Sequence, residues 1–387
     1  MTHAHDLGVG VPNAESGRAG SRPPGTTAPG SAPFGWYVHV PFCSNRCDYC
    51  AFATWTDRSH LIGDYLDAMR IEVERAVTAG APAADTVFVG GGTPSLVPPD
   101  ALSAVLRAIP LGPAAEVSVE CNPDDVTEAL LATYAAAGVN RVSIGVQSMV
   151  PHVLAALGRT HDPDNVRRAV AAVRTVGLPT FNLDVIYGAA GESLDDWRTT
   201  LTGILDLDPP HVSAYGLTVE AGTPLADDPA RHPDDDVQAD EYELADELLG
   251  GAGLANYEVS NWARPGHECR HNLLYWGQHD YLGIGCAAHS HRAGRRWWNL
   301  RTPERYLAAV RDGRPTEAAG ETLDEPTRRA EGLQLALRTR DGVPVAALAG
   351  EELAGLVERH GDRWVLTRQG RLLTNEVAVR LRDTPAR

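Results

Sequence analysis

Three thiols fall within eight residues in the segment YVHVPFCSNRCDYCAF (37–52), spaced Cys43-x₃-Cys47-x₂-Cys50. Thiolates this close suit a soft metal centre better than a secreted disulfide framework. A structural zinc asks for four ligands. Cys121, Cys269 and Cys286 are distant in sequence, and there is no second Cys-x₂-Cys. The spacing therefore fits an iron–sulfur cluster with one iron open to an exogenous ligand. A zinc site completed by His39 or a distant cysteine, and buried thiols without metal, are the alternatives.

The cysteines follow a β-branched and aromatic run (36–42). After them Ile62, Tyr65, Leu66, Met69, Val73 and Val77 recur at helical spacing, and Gly80 can cap the end. Strand-like runs return at 85–92, 116–123, 141–148, 180–188 and 211–220, each but the last followed by a helical pattern. Alternating βα units predict an α/β fold with a parallel sheet covered by helices. Six units make a doubly wound sheet or a partial barrel. The cysteines, the glycine run 90–92, Glu120, Gln147 and Asp184 all fall at or just past the ends of successive strands. α/β folds build their sites at that edge.

Residues 1–33 are rich in Gly, Pro, Ser, Thr and Ala and are expected to form a disordered tail. The βα units are assigned to 34–225, an acidic connection and a His-, Asn- and Trp-rich extension to 226–320, and a C-terminal module to 321–387. That module reads as small, α+β and winged-helix-like, with a hairpin around Gln369-Gly370 and then a helix. The chain has 34 basic and 51 acidic residues, net −17, which tells against nucleic acid or an anionic membrane surface as partner. Every basic residue is arginine. Without lysine, neither a Walker P-loop nor a pyridoxal Schiff base can be built. No secretory pattern opens the sequence and no apolar run is long enough to span a bilayer, so a cytoplasmic protein with reduced thiols is expected.

Five of the fourteen histidines (267, 271, 279, 289, 291) cluster with Cys269 and Cys286. Imidazole and thiolate are axial ligands of haem iron, and Tyr275, Trp276, Trp297 and Trp298 can pack on a porphyrin. Arg292, Arg295 and Arg296 can pair with propionates. On chemistry alone, a polar, aromatic cap on the barrel with hydrogen-bonded histidines is the simpler reading.

The cysteine spacing, with Tyr49, resembles the signature of the radical S-adenosylmethionine (SAM) family. YVHVPFC, GGGTPS, VECNP, RVSIGVQS and NLDVIYG are similar, in order, to its coproporphyrinogen dehydrogenase (HemN-like) branch. The resemblance implies a partial (βα)₆ barrel and a [4Fe–4S] cluster on Cys43, Cys47 and Cys50. It places SAM against Tyr37, Gly91, Gly92, Thr93, Glu120, Gln147, Arg159 and Asp184. The family's cluster gives SAM an electron to form a 5′-deoxyadenosyl radical. In the dehydrogenase the motif continues Cys-x-Cys, where this sequence has Phe52. HNLLYW (271–276) resembles the HNxxYW signature of the haem chaperone branch, with likeness running from about Phe34 to near the C-terminus. That branch implies haem held at His271, Asn272, Tyr275 and Trp276, delivery to recipient haemoproteins such as respiratory enzymes, and a homodimer when the cluster is present. SAM-dependent oxidative decarboxylation of coproporphyrinogen III is the alternative activity.

Overall fold

The computed structural model describes residues 32–349 and 353–382. The tail expected over 1–33 lies outside them except for its last two residues. Six parallel strands run side by side in chain order: β1 (Phe34–Val40), β2 (Ala84–Gly91), β3 (Leu111–Cys121), β4 (Arg141–Gln147), β5 (Thr180–Tyr187) and β6 (His211–Gly216). They are linked by α1 (Ile62–Thr78), α2 (Pro99–Ala108), α3 (Glu128–Ala136), α4 (Pro151–Ala156), α5 (Pro163–Val176) and α6 (Leu194–Leu205). Three of these helices, α3, α5 and α6, begin at side-chain caps. Asp162 accepts from the Asp164 N–H ahead of α5, and Ser193 with Asp196 forms a capping box on α6.

Each central strand alternates. Val87, Val89, Val117, Val119, Val142, Ile144, Leu183 and Val185 are buried in the main apolar core. The intervening positions carry Thr86, Ser118, Glu120, Ser143, Asn182, Asp184 and Ser213, which point to the opposite face of the sheet. That face is the polar interior in which a site can be built.

The segment 226–320 extends the sheet at both edges, which local periodicity did not reveal. After α7 (Asp235–Gly251), strands β7 (Ala255–Glu258) and β8 (Asn261–Ala263) form an antiparallel hairpin on β6. After α8 (Arg270–Trp276), β9 (Asp280–Ile284) pairs parallel with β1. Antiparallel β10 (His289–Arg292), β11 (Arg295–Asn299) and β12 (Glu317–Thr322) follow, with α9 (Pro303–Arg311) between the last two. The result is a twelve-stranded sheet with two open ends. Half-buried Glu72 of α1 locks this addition in place. It accepts from the Gly285 N–H at 2.9 Å, Asn299 Nδ2 at 3.2 Å, and the Tyr306 and Thr316 hydroxyls at 2.6 Å.

The C-terminal module follows α10 (Glu325–Ala336). Its sheet has β13 (Val343–Pro344), β14 (Val357–His360) and β15 (Arg363–Leu366), flanked by α11 (Arg368–Leu372) and α12 (Thr374–Ala378) around a separate apolar core. The hairpin expected at Gln369-Gly370 lies earlier, between β14 and β15, where Gly361 takes φ 63°. Gln369 and Gly370 belong to α11, because Thr367 caps that helix by accepting from the Gly370 N–H at 3.0 Å.

Candidate functional site

The cysteine loop is clipped at its base. Phe42 bridges Trp55, the Cys43 N–H donates to the Trp55 carbonyl (3.2 Å), and the Trp55 N–H donates to the Pro41 carbonyl (2.8 Å). Cys43, Cys47 and Cys50 are free and half-buried. Two donors approach their sulfurs: Thr93 Oγ1 lies 3.7 Å from Cys43 Sγ, and Arg159 Nη1 lies 3.7 Å from Cys47 Sγ. Burial pushes the Cys43 and Cys50 thiols up, opposed by Thr93 at Cys43 and the Phe52 backbone at Cys50. A bound metal would overcome that desolvation by stabilising the thiolates. Among the described residues no three His, Cys, Asp or Glu side chains gather around a single ion. A cubane cluster does not require them to, since each thiolate holds a different iron.

β2 runs out through Gly90, Gly91, Gly92 and Thr93. Gly91 has φ 111°, and a Cβ there would lie 2.5 Å from the His39 ring; at Gly92 it would lie 2.5 Å from the Phe42 carbonyl oxygen. Only glycine lets this backbone press against β1 and the cysteine loop. The Gly92 and Thr93 N–H groups donate to the Val40 and Phe42 carbonyls at 2.7 Å, which ties the turn to that loop. The Gly91 N–H donates to Glu120 Oε2 at 3.2 Å.

Two carboxyls share the interior. Burial, then the nearby Asp184, raises Glu120 to about 8. Burial also raises Asp184, against donation from the Ser143 hydroxyl (2.6 Å) and Asn182 Nδ2 (2.7 Å). Such a pair favours a cationic guest, which relieves both desolvation and mutual repulsion. Gln147 ends β4 at φ 60°, and Arg159 Nη2 donates to the Gly145 carbonyl at 3.0 Å, so Arg159 spans from β4 to Cys47. Tyr37 donates to His39 Nδ1 (3.0 Å), and His39 Nε2 donates to the Ala53 carbonyl (3.0 Å). Burial lowers His39 to about 4, so it is a neutral tie between β1 and the cysteine loop.

The three cluster cysteines, all the residues matched to SAM, and Asn272, Tyr275 and Trp276 line one cavity of about 1420 Å³; His271 does not. Helix α8 packs against β1 and β2, where Gly35 leaves room: a Cβ there would lie 3.0 Å from Leu274 Cδ1 and 3.2 Å from His271 Cε1. Glu116 fixes its start by accepting from the Arg270 (2.9 Å) and His271 (3.2 Å) N–H groups. Asn272, Tyr275 and Trp276 reach the cavity, but His271 is 1% exposed. Its Nδ1 bonds the Thr86 hydroxyl and its Nε2 the Tyr275 hydroxyl, each at 2.8 Å, with Phe88 stacked at 5.4 Å. Burial holds its pKa down at about 3. The imidazole expected to meet haem iron thus has both nitrogens hydrogen-bonded, Nε2 to a tyrosine of the cavity wall. The arginines suggested for propionates are also placed elsewhere. Arg295 pairs with Glu317, and Arg296 with Glu321 and Glu331.

Of the two tryptophans suggested on β11, Trp298 lines the same cavity and Trp297 does not; sequence reasoning missed Arg301, Arg305, Tyr215 and Glu258, which also line it. Only the period-2 alternation of RRWWN signalled that one of its two tryptophans faces inward.

Residues 37–202 match the radical SAM superfamily. The heme chaperone HemW of Mycobacterium tuberculosis (strain H37Rv) is 44% identical over 375 residues, covering 92% of this chain and 96% of that protein. The heme chaperone HemW of Escherichia coli K12 is 35% identical over 368 residues, 89% of this chain and 97% of its own. Among solved structures, the radical SAM coproporphyrinogen III oxidase (HemN) of Escherichia coli superposes with a TM-score of 0.78 at 22% identity. It covers 90% of this chain and 89% of that one, a likeness of fold.

Proposed function

The chain belongs to the radical SAM superfamily and, within it, to the HemW haem chaperones, and from that premise we propose that its cavity receives haem beside the cluster and SAM and hands the haem to recipient haemoproteins. The observation that carries this reading is one shared cavity of about 1420 Å³, lined by the cysteine loop, the glycine turn and the Asn272–Tyr275–Trp276 edge of α8. A small-molecule site is usually about 300–1,000 Å³, so the space exceeds what one ligand needs.

The family's cofactors are a [4Fe–4S] cluster and SAM. When bound, the cluster supplies an open iron and an electron for the SAM sulfonium. Cys43, Cys47 and Cys50 hold the irons, while Thr93 and Arg159 donate to two of the sulfurs. The turn at Gly91, Gly92 and Thr93 presents backbone to the SAM amino group. Glu120 and Asp184 supply negative charge for a cationic guest, and Tyr37, Gln147 and Arg159 complete the wall. His271 acts as a positioning residue, fixing Tyr275 from beneath.

Phe52 stands where the dehydrogenase carries a further cysteine, and it is 54% exposed toward the cavity. This favours the chaperone over decarboxylation. A homodimer and a cytoplasmic setting belong to the same proposal. Among the described residues, no helix is long and apolar enough to cross a membrane.

The test is anaerobic, on cluster-reconstituted chain with SAM and reductant. Haem-loaded chain is expected to transfer haem to a b-type apo-cytochrome, and coproporphyrinogen III to stay unconverted. Conversion to protoporphyrinogen IX, without haem transfer, would replace this reading with the dehydrogenase.

A further inference from the structure

The cysteine loop is also held from outside the cavity. Asp48 stands between Cys47 and Cys50 and is half-buried; unlike the cysteines, neither it nor Arg231 lines the cavity. Asp48 Oδ2 accepts from Arg231 Nη2 at 2.8 Å, and the same nitrogen donates to the Ala156 carbonyl at the end of α4 at 2.6 Å. The Leu225 N–H donates to the Asp48 carbonyl at 3.0 Å, and Asn45 Nδ2 donates to the Gly158 carbonyl at 3.3 Å. Gly158 takes φ 69°, and a Cβ there would lie 3.1 Å from the Asp48 nitrogen, so the loop lies close on the turn after α4. Leu225 is buried in a separate apolar cluster with Val153 and Leu157, and Tyr49 packs against that cluster. From the same turn, Arg159 approaches Cys47 Sγ on the cavity side. Cys47 and Asp48 are thus gripped between two guanidiniums, one at the sulfur and one outside.

We propose that Arg231 is a positioning residue for the cluster: through Asp48 it straps the cysteine loop to the end of α4 and neutralises the carboxylate next to Cys47, and so sets how firmly the cluster is held and at what potential it is reduced. The inference rests on the assignment of the cluster to Cys43, Cys47 and Cys50. The potential of an iron–sulfur cluster follows the net charge around it, the hydrogen bonds to its sulfurs and its exposure to solvent. An unpaired Asp48 would add one negative charge beside a ligand and make the reduced cluster harder to form. Arg231 cancels that charge, and its second bond, to Ala156, fixes where it does so. Arg231 lies in the acidic connection, ahead of α7. That segment, which holds none of the residues matched to a cofactor, therefore acts on the cluster.

The experiment compares the full chain, reconstituted anaerobically with iron and sulfide, as wild type, Arg231→Gln, Asp48→Asn, the double variant and Arg231→Lys. Cluster loss to a chelator is followed by absorbance, and the midpoint potential by redox titration with electron paramagnetic resonance. Disturbing the partners of metal ligands costs about 10–100-fold in affinity, and a residue acting one step further out should read near the lower figure, about 10-fold faster loss in Arg231→Gln. Its midpoint potential should fall, that of Asp48→Asn should rise, and the double variant, equally loose but neutral at this point, should lie between them. Arg231→Lys keeps the charge but reaches only one of the two acceptors; it should keep the wild-type potential and lose the cluster at an intermediate rate. A merely structural role would move every variant the same way. Asp48→Asn exchanges a single atom group, so it carries the test should Arg231→Gln fold poorly. Equal potentials in Arg231→Gln and Asp48→Asn would overturn the electrostatic assignment. Wild-type cluster retention in both would overturn the strap. No cluster in reconstituted wild type would remove the cysteine assignment itself, and this inference with it.

Discussion

Replacing His271 by alanine should damage the fold before it says anything about haem. The ring occupies a dry niche and bonds two hydroxyls, Thr86 and Tyr275, both at 2.8 Å. Alanine strands both, at about 1–3 kcal/mol for each buried polar group left without a partner. It also forfeits the packing against Phe88 and leaves a void. The sum is about 3–5 kcal/mol, to be read as a lower urea midpoint of the cofactor-free chain by circular dichroism. His271→Gln, which can still reach one hydroxyl, should lose about 1–2 kcal/mol. The effect should also depend on pH. The folded-state pKa of His271 is about 3, below its ordinary value of 6.5, so the unfolded chain takes up the proton first. The stability from this neutral ring is therefore present above pH 6.5 and is lost progressively as pH falls toward 3. Between pH 7.5 and pH 5 the difference between wild type and His271→Gln should shift by about 2 kcal/mol toward the variant, enough to close or reverse the gap. His39 and His211, which are also lowered by burial, are common to both proteins and cancel in the difference. Equal urea midpoints for wild type and His271→Ala at pH 7.5 would refute the buried, doubly bonded placement.

Cys47→Ser should lose the cluster yet stay folded, because the loop sits at the mouth and not in the core; iron content beside circular dichroism checks this, and full iron retention would contradict the ligand set. Gly92→Ala places a Cβ 2.5 Å from the Phe42 carbonyl oxygen. That overpacking should cost about 1–3 kcal/mol and lower iron incorporation, and unchanged incorporation would show that the turn can give way. SAM affinity should rise as pH rises through about 8, where Glu120 becomes ionised and can meet a cation. Equilibrium dialysis should show that slope in wild type and a flat profile in Glu120→Gln; a flat wild-type profile would separate Glu120 from SAM binding.

The barrel and the polar strand ends that line its cavity were legible because each depends on short-range pattern. A strand-end residue needs only its own strand to be recognised, so Glu120, Gln147 and Asp184 could be placed in one interior before any contact was known. The edges of the sheet were not legible, because β9 pairs with β1 across more than two hundred residues, and no local periodicity records a partner so distant. The fate of His271 was hidden for the same reason. It depends on Gly35 and Thr86, each far away in sequence, which supply its space and its hydrogen bond. Arg295 and Arg296 seemed available for propionates until β12 and α10 brought Glu317, Glu321 and Glu331 beside them. The misplaced hairpin at Gln369-Gly370 is a turn-chemistry error. Gly361 takes the left-handed turn, whereas Gly370 is glycine because the Leu356 carbonyl packs against it.

The central claim, that this cavity holds haem, is tested most directly by anaerobic haem titration of the wild-type, cluster-reconstituted chain. The account predicts a saturable Soret change ending at one haem per chain. A linear, unsaturable response, or none, would contradict it.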